Sequence, residues 1–330
     1  MDTAQYDYDL PDDAIAQVPI EPRDAARLLV DRGPGAEPGH CVVGDLPGLL
    51  EPGDLVVVND TKVRHARLRL RRPAGGAAEV LLLDQRDDGA WEALVKPSRR
   101  LRPGTRLEGA GGVSAMIGED LGDGRRVVTV EGDFEAVGEP PLPPYIRVPL
   151  ADAARYQTVY ARRVASAAAP TAGLHLTTQT LARCREAGVQ LATIELVVGL
   201  DTFRPIASER VEDHAIHREA YVVPAETMAA CERAARVVAV GTTVVRALET
   251  AAATGELAGR TSLFIYGDYP FRMVDRLLTN FHVPRTTLLA LVDAFVGPRW
   301  RHLYEVARAR EYRFLSFGDA MLLRRERGGR

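Results

Sequence analysis

The sequence predicts an α/β fold class, in the form of a mixed-sheet α/β domain with a small β-barrel domain inserted into it. The chain of 330 residues is longer than one compact core usually accommodates. Residues 64–144 contain short apolar runs separated by Gly, Asp and Pro, a spacing typical of all-β structure. After residue 145, strand-like and helix-like patterns alternate. We therefore predict a discontinuous α/β domain over residues 1–63 and 145–330, interrupted by the barrel at 64–144.

The individual elements follow from the apolar patterns in chain order. A run over Arg27–Val30 predicts a strand, and Pro52–Val58 predicts a buried strand with a polar end at Asn59-Asp60-Thr61. The barrel strands are predicted over Ala78–Leu83, Trp91–Val95, Thr105–Leu107, Val113–Ile117 and Arg126–Val130. The later elements are predicted as helices over Thr177–Ala187, Ala225–Ala235 and Thr242–Thr254, and as strands over Val189–Val198, Val237–Val240 and Ser262–Ile265.

Composition and charge exclude several classes of protein. A hydrophobic fraction of 46% and a charged fraction of 26% are ordinary for a globular chain. No stretch approaches the roughly 20 apolar residues of a membrane span, and the N-terminus has no signal-peptide pattern. We therefore expect a cytoplasmic protein without a membrane partner. The cysteines, Cys41, Cys184 and Cys231, have no CxxC spacing, so we expect them to be reduced and structural.

The net charge of -3 means that a nucleic-acid partner would need a local basic patch. Of the 42 basic residues, only Lys62 and Lys96 are lysine. Because an ammonium group differs chemically from a guanidinium, these two lysines are candidates for a specific functional role. Chance retention explains them equally well.

The segment Ala168–His175 combines small residues with a predicted helix N-terminus. Gly173 allows the backbone to approach a ligand closely, and the free N–H groups of a helix start favour a carboxylate or a phosphate. Thr177 or Thr178 is available to cap the helix, and His175 is placed to touch a bound group. A tight turn with a structural histidine is the alternative interpretation.

The segment Val240–Glu249 follows a predicted strand and opens a helix. Gly241 and the two threonines after it would stand at the carboxyl end of that strand, where α/β sheets bind ligands. Arg246 and Glu249 can share one helix face, either as a charged pair near the site or as a surface ion pair. The segment matches neither a Walker loop nor GxGxxG, so it indicates no nucleotide class.

Two histidine-containing segments complete the candidates. Asn280 and His282 beside Phe281 can hydrogen-bond and stack a purine, although a buried histidine beside a proline turn is just as common. The HxxH pattern of His214 and His217 is weak evidence for a metal, because no further ligand completes the set. Nothing resembles a nucleophile elbow, so hydrolase chemistry has no support.

Taken in order, these segments and several others resemble one family over essentially the whole chain. The matching strings are Leu10–Gln17, Pro22–Asp24, Asn59–Val63, Leu94–Pro97, Leu142–Ile146, Tyr156–Tyr160, Ala168–His175, Gly199–Leu200, Thr202–Pro205, Gly241–Thr243, Thr279–His282 and Phe314–Met321. In these strings the chain resembles the S-adenosylmethionine:tRNA ribosyltransferase-isomerases of queuosine synthesis. The resemblance implies an α/β domain with an inserted barrel, in agreement with the patterns above.

The resemblance also implies a reaction. The ribosyl moiety of S-adenosylmethionine is transferred and isomerised onto the aminomethyl group of 7-aminomethyl-7-deazaguanine in a tRNA anticodon, giving epoxyqueuosine, adenine and methionine. S-adenosylmethionine is then a co-substrate, no metal is implied, and we expect a monomer. The sulfonium acidifies the neighbouring C5′ protons, so one base can start the rearrangement, and the departing adenine needs a proton donor.

Candidate site residues are carried by the matching segments. The catalytic candidates are His175, His217, Glu219 and His282. The candidates for binding S-adenosylmethionine are Thr171, Gly173, Phe203, Gly241, Thr242, Thr243, Arg246, Asn280 and Phe281, with the two phenylalanines as aromatic faces for the sulfonium. The candidates for contacting an anticodon loop are Lys62, Lys96, Arg99 and Arg100, with solvated strand faces as the alternative.

The chain departs from the family's pattern inside several motifs. The family usually has His, Gly, Ser and Ser where this chain has Val197, Asp201, Arg218 and Val244. Because such changes would reshape a polar site, two alternatives stay open. One is a paralogue that uses S-adenosylmethionine for transferase, lyase or isomerase chemistry on a small metabolite. The other is a non-catalytic RNA-binding module, against which the retained histidines and Glu219 argue.

Overall fold

The structure is a computed structural model that describes residues 1–73, 75–122, 124–199, 205–216 and 218–325. The chain forms two compact units. Unit 1 comprises Met1–Lys62, Pro143–Arg163 and Ala169–Arg330, and unit 2 comprises Val63–Leu142 and Val164–Ala168.

The strands are short, and they are numbered in chain order. They are β1 (Arg27–Val30), β2 (Gly39–Val42), β3 (Asp54–Asn59), β4 (Thr61–Val63), β5 (Arg67–Arg71), β6 (Ala77–Gln85), β7 (Trp91–Lys96), β8 (Arg106–Glu108), β9 (Ser114–Gly122), β10 (Arg125–Glu131), β11 (Arg163–Ser166), β12 (Gln190–Leu196), β13 (Glu219–Val222), β14 (Arg236–Val240), β15 (Ala258–Thr261), β16 (Arg276–Asn280) and β17 (Ala320–Arg324).

The α-helices are named in the same way. They are α1 (Leu46–Leu49), α2 (Phe134–Val137), α3 (Thr178–Glu186), α4 (Ala225–Arg233), α5 (Thr242–Thr254), α6 (Thr287–Val296) and α7 (Trp300–Ala309). Local chemistry sets the start and the end of α3: the Thr177 hydroxyl accepts a hydrogen bond from the Thr180 N–H, and Gly188 adopts a positive φ of 79° just after the helix.

Unit 1 is built on a nine-stranded mixed sheet in the order β15-β13-β12-β3-β14-β16-β17-β1-β2. The central strands β12, β3, β14 and β16 are parallel to one another, whereas β17 runs antiparallel to β16. Every residue of β3 is buried, which explains its continuous Leu-Val-Val-Val run, because a central parallel strand is covered on both faces. Leu181 and Cys184 of α3 pack on one face of the sheet in a core cluster with Val56 and Val238.

Unit 2 contains a closed barrel with the strand order β10-β7-β6-β5-β8-β9. Its neighbouring strands are antiparallel. In β5, Leu68 and Leu70 are buried, while Arg69 and Arg71 are exposed, as expected from the alternation of side chains along a strand. The mixed α/β sheet and the closed barrel confirm the predicted fold class.

One predicted strand is misplaced. Strand β15 lies at Ala258–Thr261, where it pairs with β13, and residues 262–266 have no regular secondary structure. The apolar residues of Ser262–Ile265 suggested a strand, but the carbonyl of Leu263 accepts a hydrogen bond from Nε of Arg246 at 2.9 Å. The Arg246 side chain, rather than a neighbouring strand, therefore provides the hydrogen-bond partner of the Leu263 carbonyl.

Two further features concern the predictions from composition. Cys41, Cys184 and Cys231 are free thiols. Among the helices that the structure describes, none combines the length and the apolar character needed to cross a membrane.

Candidate active site

A cavity of about 570 Å³ opens at the carboxyl ends of the parallel strands of unit 1. Its walls bring together predicted residues from three distant segments of the chain. These residues are Thr171, Gly241, Thr242, Thr243, Asn280, Phe281 and His282. Ligands of α/β sheets bind at this end of the strands, because the loops there leave a crevice. The fold thus gathers segments that are more than a hundred residues apart.

Gly241 joins the end of β14 to the start of α5. Its φ of 91° and ψ of 152° lie outside the range that residues with a side chain adopt easily. A Cβ atom at this position would lie 3.6 Å from the Thr243 hydroxyl and 3.7 Å from Ala172, which are ordinary contacts. The backbone conformation, rather than a lack of space, therefore requires glycine here.

Asn280, the last residue of β16, connects the cavity wall to His175. Its amide nitrogen donates to Nε2 of His175 at 3.0 Å, and its amide oxygen accepts from the Thr171 hydroxyl at 3.0 Å. In this arrangement Nε2 of the neutral imidazole is the acceptor, so the proton is on Nδ1. His175 is not among the residues that line the cavity, and it contacts the wall through Asn280.

Both candidate histidines are held in the neutral form. Burial lowers the pKa of His175 to about 4, and the positive charges of Arg313, Arg155 and Arg23 add to this effect. Burial alone lowers the pKa of His282 to about 3. At neutral pH each imidazole is therefore uncharged and can accept a hydrogen bond.

His282 lines the cavity directly. Its Nε2 lies 2.9 Å from the Thr279 hydroxyl, and its backbone is fixed by the hydroxyls of Tyr8 and Tyr304. The residues that the structure describes offer Nδ1 no hydrogen-bond partner. His282 is thus the predicted catalytic residue with a free ring nitrogen beside the cavity wall.

Two of the predicted binding residues, Phe281 and Gly173, contribute to packing. The ring of Phe281 is buried in an aromatic cluster, with its centroid 4.7 Å from that of Phe314 and 5.3 Å from that of Tyr304. A Cβ atom on Gly173 would lie 1.9 Å from the Tyr160 hydroxyl. Gly173 is therefore needed for close packing, and it does not line the cavity.

The predicted pairing of Arg246 with Glu249 is wrong. Arg246 forms a buried ion pair with Glu219 of β13, whose other oxygen accepts from the Gly199 N–H at 3.2 Å. Glu249 instead accepts three backbone N–H groups, from Arg272, Met273 and Val274, at 2.8–3.0 Å. The spacing along the helix allows an ion pair between Arg246 and Glu249. In the fold, however, each of the two side chains binds a partner on another part of the chain.

Glu219 and Arg246 are candidates that the structure does not place on the cavity wall. Both are less than one-tenth exposed, and the pair joins β13 to α5. Because α5 begins at the cavity, the ion pair fixes an element that supplies cavity residues. Its geometry fits a positioning role.

The basic candidates are all exposed to solvent. Lys62 belongs to unit 1, whereas Lys96, Arg99 and Arg100 belong to unit 2. The Nζ atom of Lys96 lies 3.9 Å from Glu79, which also neighbours Arg67 and Arg69. Within the ranges that the structure describes, Arg99 and Arg100 form no ion pair. Their positive charges are therefore less neutralised by acidic neighbours than that of Lys96.

Two candidates, His217 and Phe203, lie outside the described residues. The HxxH alternative therefore rests on His214, whose ring contacts that of Phe264 at 5.8 Å between centroids. In the described part of the chain, no group of three or more His, Cys, Asp or Glu side chains is placed to hold a metal ion.

Sequence reasoning missed several polar residues of the cavity wall. The hydroxyls of Tyr145 and Ser316 lie 2.7 Å apart there, and Thr286 and Thr279 add two more. Tyr145 and Ser316 stood inside the quoted motifs, but nothing in their spacing indicated that they meet. Asp60, at the polar end of β3, is also buried, and its Oδ1 has no hydrogen-bond partner within the described chain.

The departures from the family's motifs do not fall on the cavity wall where they can be located. Val244 is fully buried in α5, Arg218 is exposed, and the Val197 N–H donates to the carbonyl of Ala220. None of these three lines the cavity. Asp201 lies outside the described residues.

A mixed α/β sheet with a cavity at the carboxyl ends of its parallel strands has the arrangement in which α/β proteins bind their ligands. The model of the queuosine biosynthesis protein family matches residues 3–323. The chain belongs to this family, in agreement with the resemblance seen in the sequence.

Individual relatives match nearly end to end. The S-adenosylmethionine:tRNA ribosyltransferase-isomerase of Rubrobacter xylanophilus is 54% identical over 98% of both chains. That of Thermus thermophilus is 49% identical over 96% of this chain and 98% of its own. The crystal structure of S-adenosylmethionine tRNA ribosyltransferase from Thermotoga maritima is 36% identical, with a TM-score of 0.56, over 96% of this chain and 99% of its own.

Proposed function

We propose that this enzyme is an S-adenosylmethionine:tRNA ribosyltransferase-isomerase. It transfers and isomerises the ribosyl moiety of S-adenosylmethionine onto the aminomethyl group of 7-aminomethyl-7-deazaguanine in tRNA, and it releases adenine and methionine. The observation that supports this proposal is the cavity. Residues from three family motifs meet there at the carboxyl ends of the parallel strands, namely Thr171, Gly241–Thr243 and Asn280. The names of the relatives, at 45–54% identity, support the same reaction.

We assign the proton transfers to His282 and the positioning roles to His175 and Glu219. His282 lines the cavity, and its Nδ1 has no hydrogen-bond partner among the described residues, so its position allows it to exchange a proton with the C5′ carbon or with departing adenine. His175 orients Asn280, and Glu219 holds Arg246 of α5. In this assignment His282 performs the proton transfers, and His175 and Glu219 hold the residues of the cavity wall in place.

The two units divide the substrates in the same proposal. Residues 1–63 and 145–330 form the catalytic domain, which binds S-adenosylmethionine in the cavity of unit 1. Arg99 and Arg100 of unit 2, with Lys96 and Lys62, contact the anticodon stem-loop. A polyanion favours exposed cations without acidic partners, as Arg99 and Arg100 are in the described chain.

The test is to incubate the purified protein with S-adenosylmethionine, with and without an anticodon stem-loop that carries the aminomethyl-deazaguanine. Mass spectrometry follows adenine, methionine and the RNA. We expect adenine and methionine release that depends on the RNA, with a matching mass gain on it. Release without RNA, or only with a small metabolite from a cell extract, would favour the paralogue; RNA binding without release would favour the non-catalytic module.

A further inference from the structure

Helix α5 reaches the cavity without a side-chain cap. Its N-cap residue is Gly241, which has no side chain to accept from the first N–H groups. Helix α6 also begins at the cavity, but there the Thr286 hydroxyl accepts from the Leu289 N–H at 3.4 Å. The N–H groups of the first turn of a helix find no partner inside that helix. Those of Thr242 and Thr243 are therefore available to an acceptor in the cavity.

A second observation at the same place points to a ligand. Thr243 is one of the residues that line the cavity, and it is only 7% exposed. Its hydroxyl is buried and has no hydrogen-bond partner among the described residues. Buried hydroxyls in folded proteins are normally paired. The Thr243 hydroxyl and the backbone N–H groups of Thr242 and Thr243 are therefore hydrogen-bond donors without an acceptor in the described chain.

The charge of the wall selects the class of ligand group. The positive end of the dipole of α5, a helix of 13 residues, is directed at the cavity. The described wall residues include no Asp, Glu, Lys or Arg, and the His282 imidazole is neutral. An anionic oxygen group is therefore favoured at this end of the helix and meets no acidic repulsion there.

We propose that the N-terminus of α5, with the Thr243 hydroxyl, binds the carboxylate of the methionine part of S-adenosylmethionine. This inference rests on the proposed function, which supplies that substrate. The cavity lies at the carboxyl ends of the parallel strands, where α/β sheets bind small molecules. An RNA phosphate would have to bring its flanking nucleotides to a residue that is only 7% exposed, so the carboxylate of a small molecule fits better.

The test compares two variants and two ligands. Thr243→Val removes the hydroxyl at constant shape, and Thr243→Ser retains it. Equilibrium binding is measured with S-adenosylmethionine and with its decarboxylated analogue, alongside the thermal midpoint of each variant. We expect Thr243→Val to weaken binding of S-adenosylmethionine by about 10- to 100-fold, as for the loss of a hydrogen bond to a charged group. Affinity for the analogue and the thermal midpoint should not fall, and Thr243→Ser should bind like the parent protein.

Three results would overturn the carboxylate site: equal losses for both ligands, no loss for either, or a parent protein that binds neither. In a parallel binding measurement with the anticodon stem-loop, a loss of affinity confined to that RNA would overturn the carboxylate site and assign the donors to an RNA phosphate. Carboxylate-dependent binding without RNA-dependent release of adenine and methionine would keep this site and reject the proposed function. The two inferences therefore fail separately.

Discussion

The Glu219–Arg246 ion pair of unit 1 and the Arg69–Glu139 ion pair of unit 2 contain the same two charges in opposite surroundings. The first has side chains 7% and 9% exposed, and the second has side chains 49% and 63% exposed. A buried pair cannot exchange its partner for water, so it fixes the elements that carry it. An exposed pair is screened and contributes little to stability. The first pair thus joins two elements of unit 1, whereas the second displays its charges to solvent.

The histidines of unit 1 follow the same principle as its ion pair. His175 and His282 are buried, neutral and hydrogen-bonded on one ring nitrogen. The arginines Arg99 and Arg100 of unit 2 are instead exposed to solvent. In the proposed function, the contrast separates a site that depends on the placement of its side chains from a surface that attracts a polyanion at long range. The following changes test that contrast, from the largest expected effect to the smallest.

Replacing His282 should have the largest effect on catalysis. His282→Gln can keep a polar group near Thr279 but removes the titratable ring, so we expect kcat to fall by about 10²- to 10⁴-fold. The measurement is RNA-dependent adenine release under saturating substrates. His302→Gln, an exposed histidine in α7, is the matched control and should keep its rate. An unchanged kcat in His282→Gln would remove this residue from proton transfer.

Breaking the buried ion pair should mainly reduce stability. Glu219→Ala leaves the Arg246 guanidinium buried without its carboxylate, so we expect the free energy of unfolding to fall by about 3–5 kcal/mol. Glu139→Ala on the barrel is the control, with an expected loss of about 0–1 kcal/mol. Urea titrations of both variants provide the comparison. Equal losses in the two variants would contradict the contrast between the units.

Acid should destabilise the fold through the two buried histidines. Their pKa values are lowered to about 4 and about 3, whereas an unfolded histidine titrates near about 6.5. Between about pH 6.5 and 4 the unfolded chain therefore binds more protons, and the free energy of unfolding falls as the pH falls. The slope approaches about 1.4 kcal/mol per pH unit for each histidine.

The histidine contribution is measured from urea titrations at several pH values across this range. His282→Gln should remove the part of the slope that belongs to His282, while the exposed His302→Gln should leave the slope intact. If the slope of His282→Gln equals that of the parent protein, the imidazole is not held neutral in the fold.

The barrel arginines should give the smallest effect, and it should depend on salt. The double variant Arg99→Ala, Arg100→Ala should weaken binding of the anticodon stem-loop and reduce the slope of log affinity against log salt by about 1 for each lost phosphate contact. Affinity for S-adenosylmethionine should stay constant. Arg106→Ala, which removes an exposed arginine paired with Glu131, is the control. An unchanged salt slope in the double variant would exclude these arginines from RNA contact.

Several features of this protein were determined by local sequence. The Leu-Val-Val-Val run of β3 predicted a buried strand, and Gly241 marked the turn into α5. The alternation of Leu and Arg in β5, which was not among the predicted strands, also fits a strand with one buried face. Each of these depends on neighbours along the chain, through side-chain periodicity or backbone conformation. The same local motifs were enough to identify the family.

The partners of the polar side chains were decided only by the tertiary structure. The helix spacing allowed Arg246 to pair with Glu249, yet the fold brought Glu219 to Arg246 and three backbone N–H groups to Glu249. His175 was expected to touch a ligand, but Asn280 lies between it and the cavity. A buried polar group takes whichever partner the packing of distant segments offers, and no spacing along the chain encodes that choice.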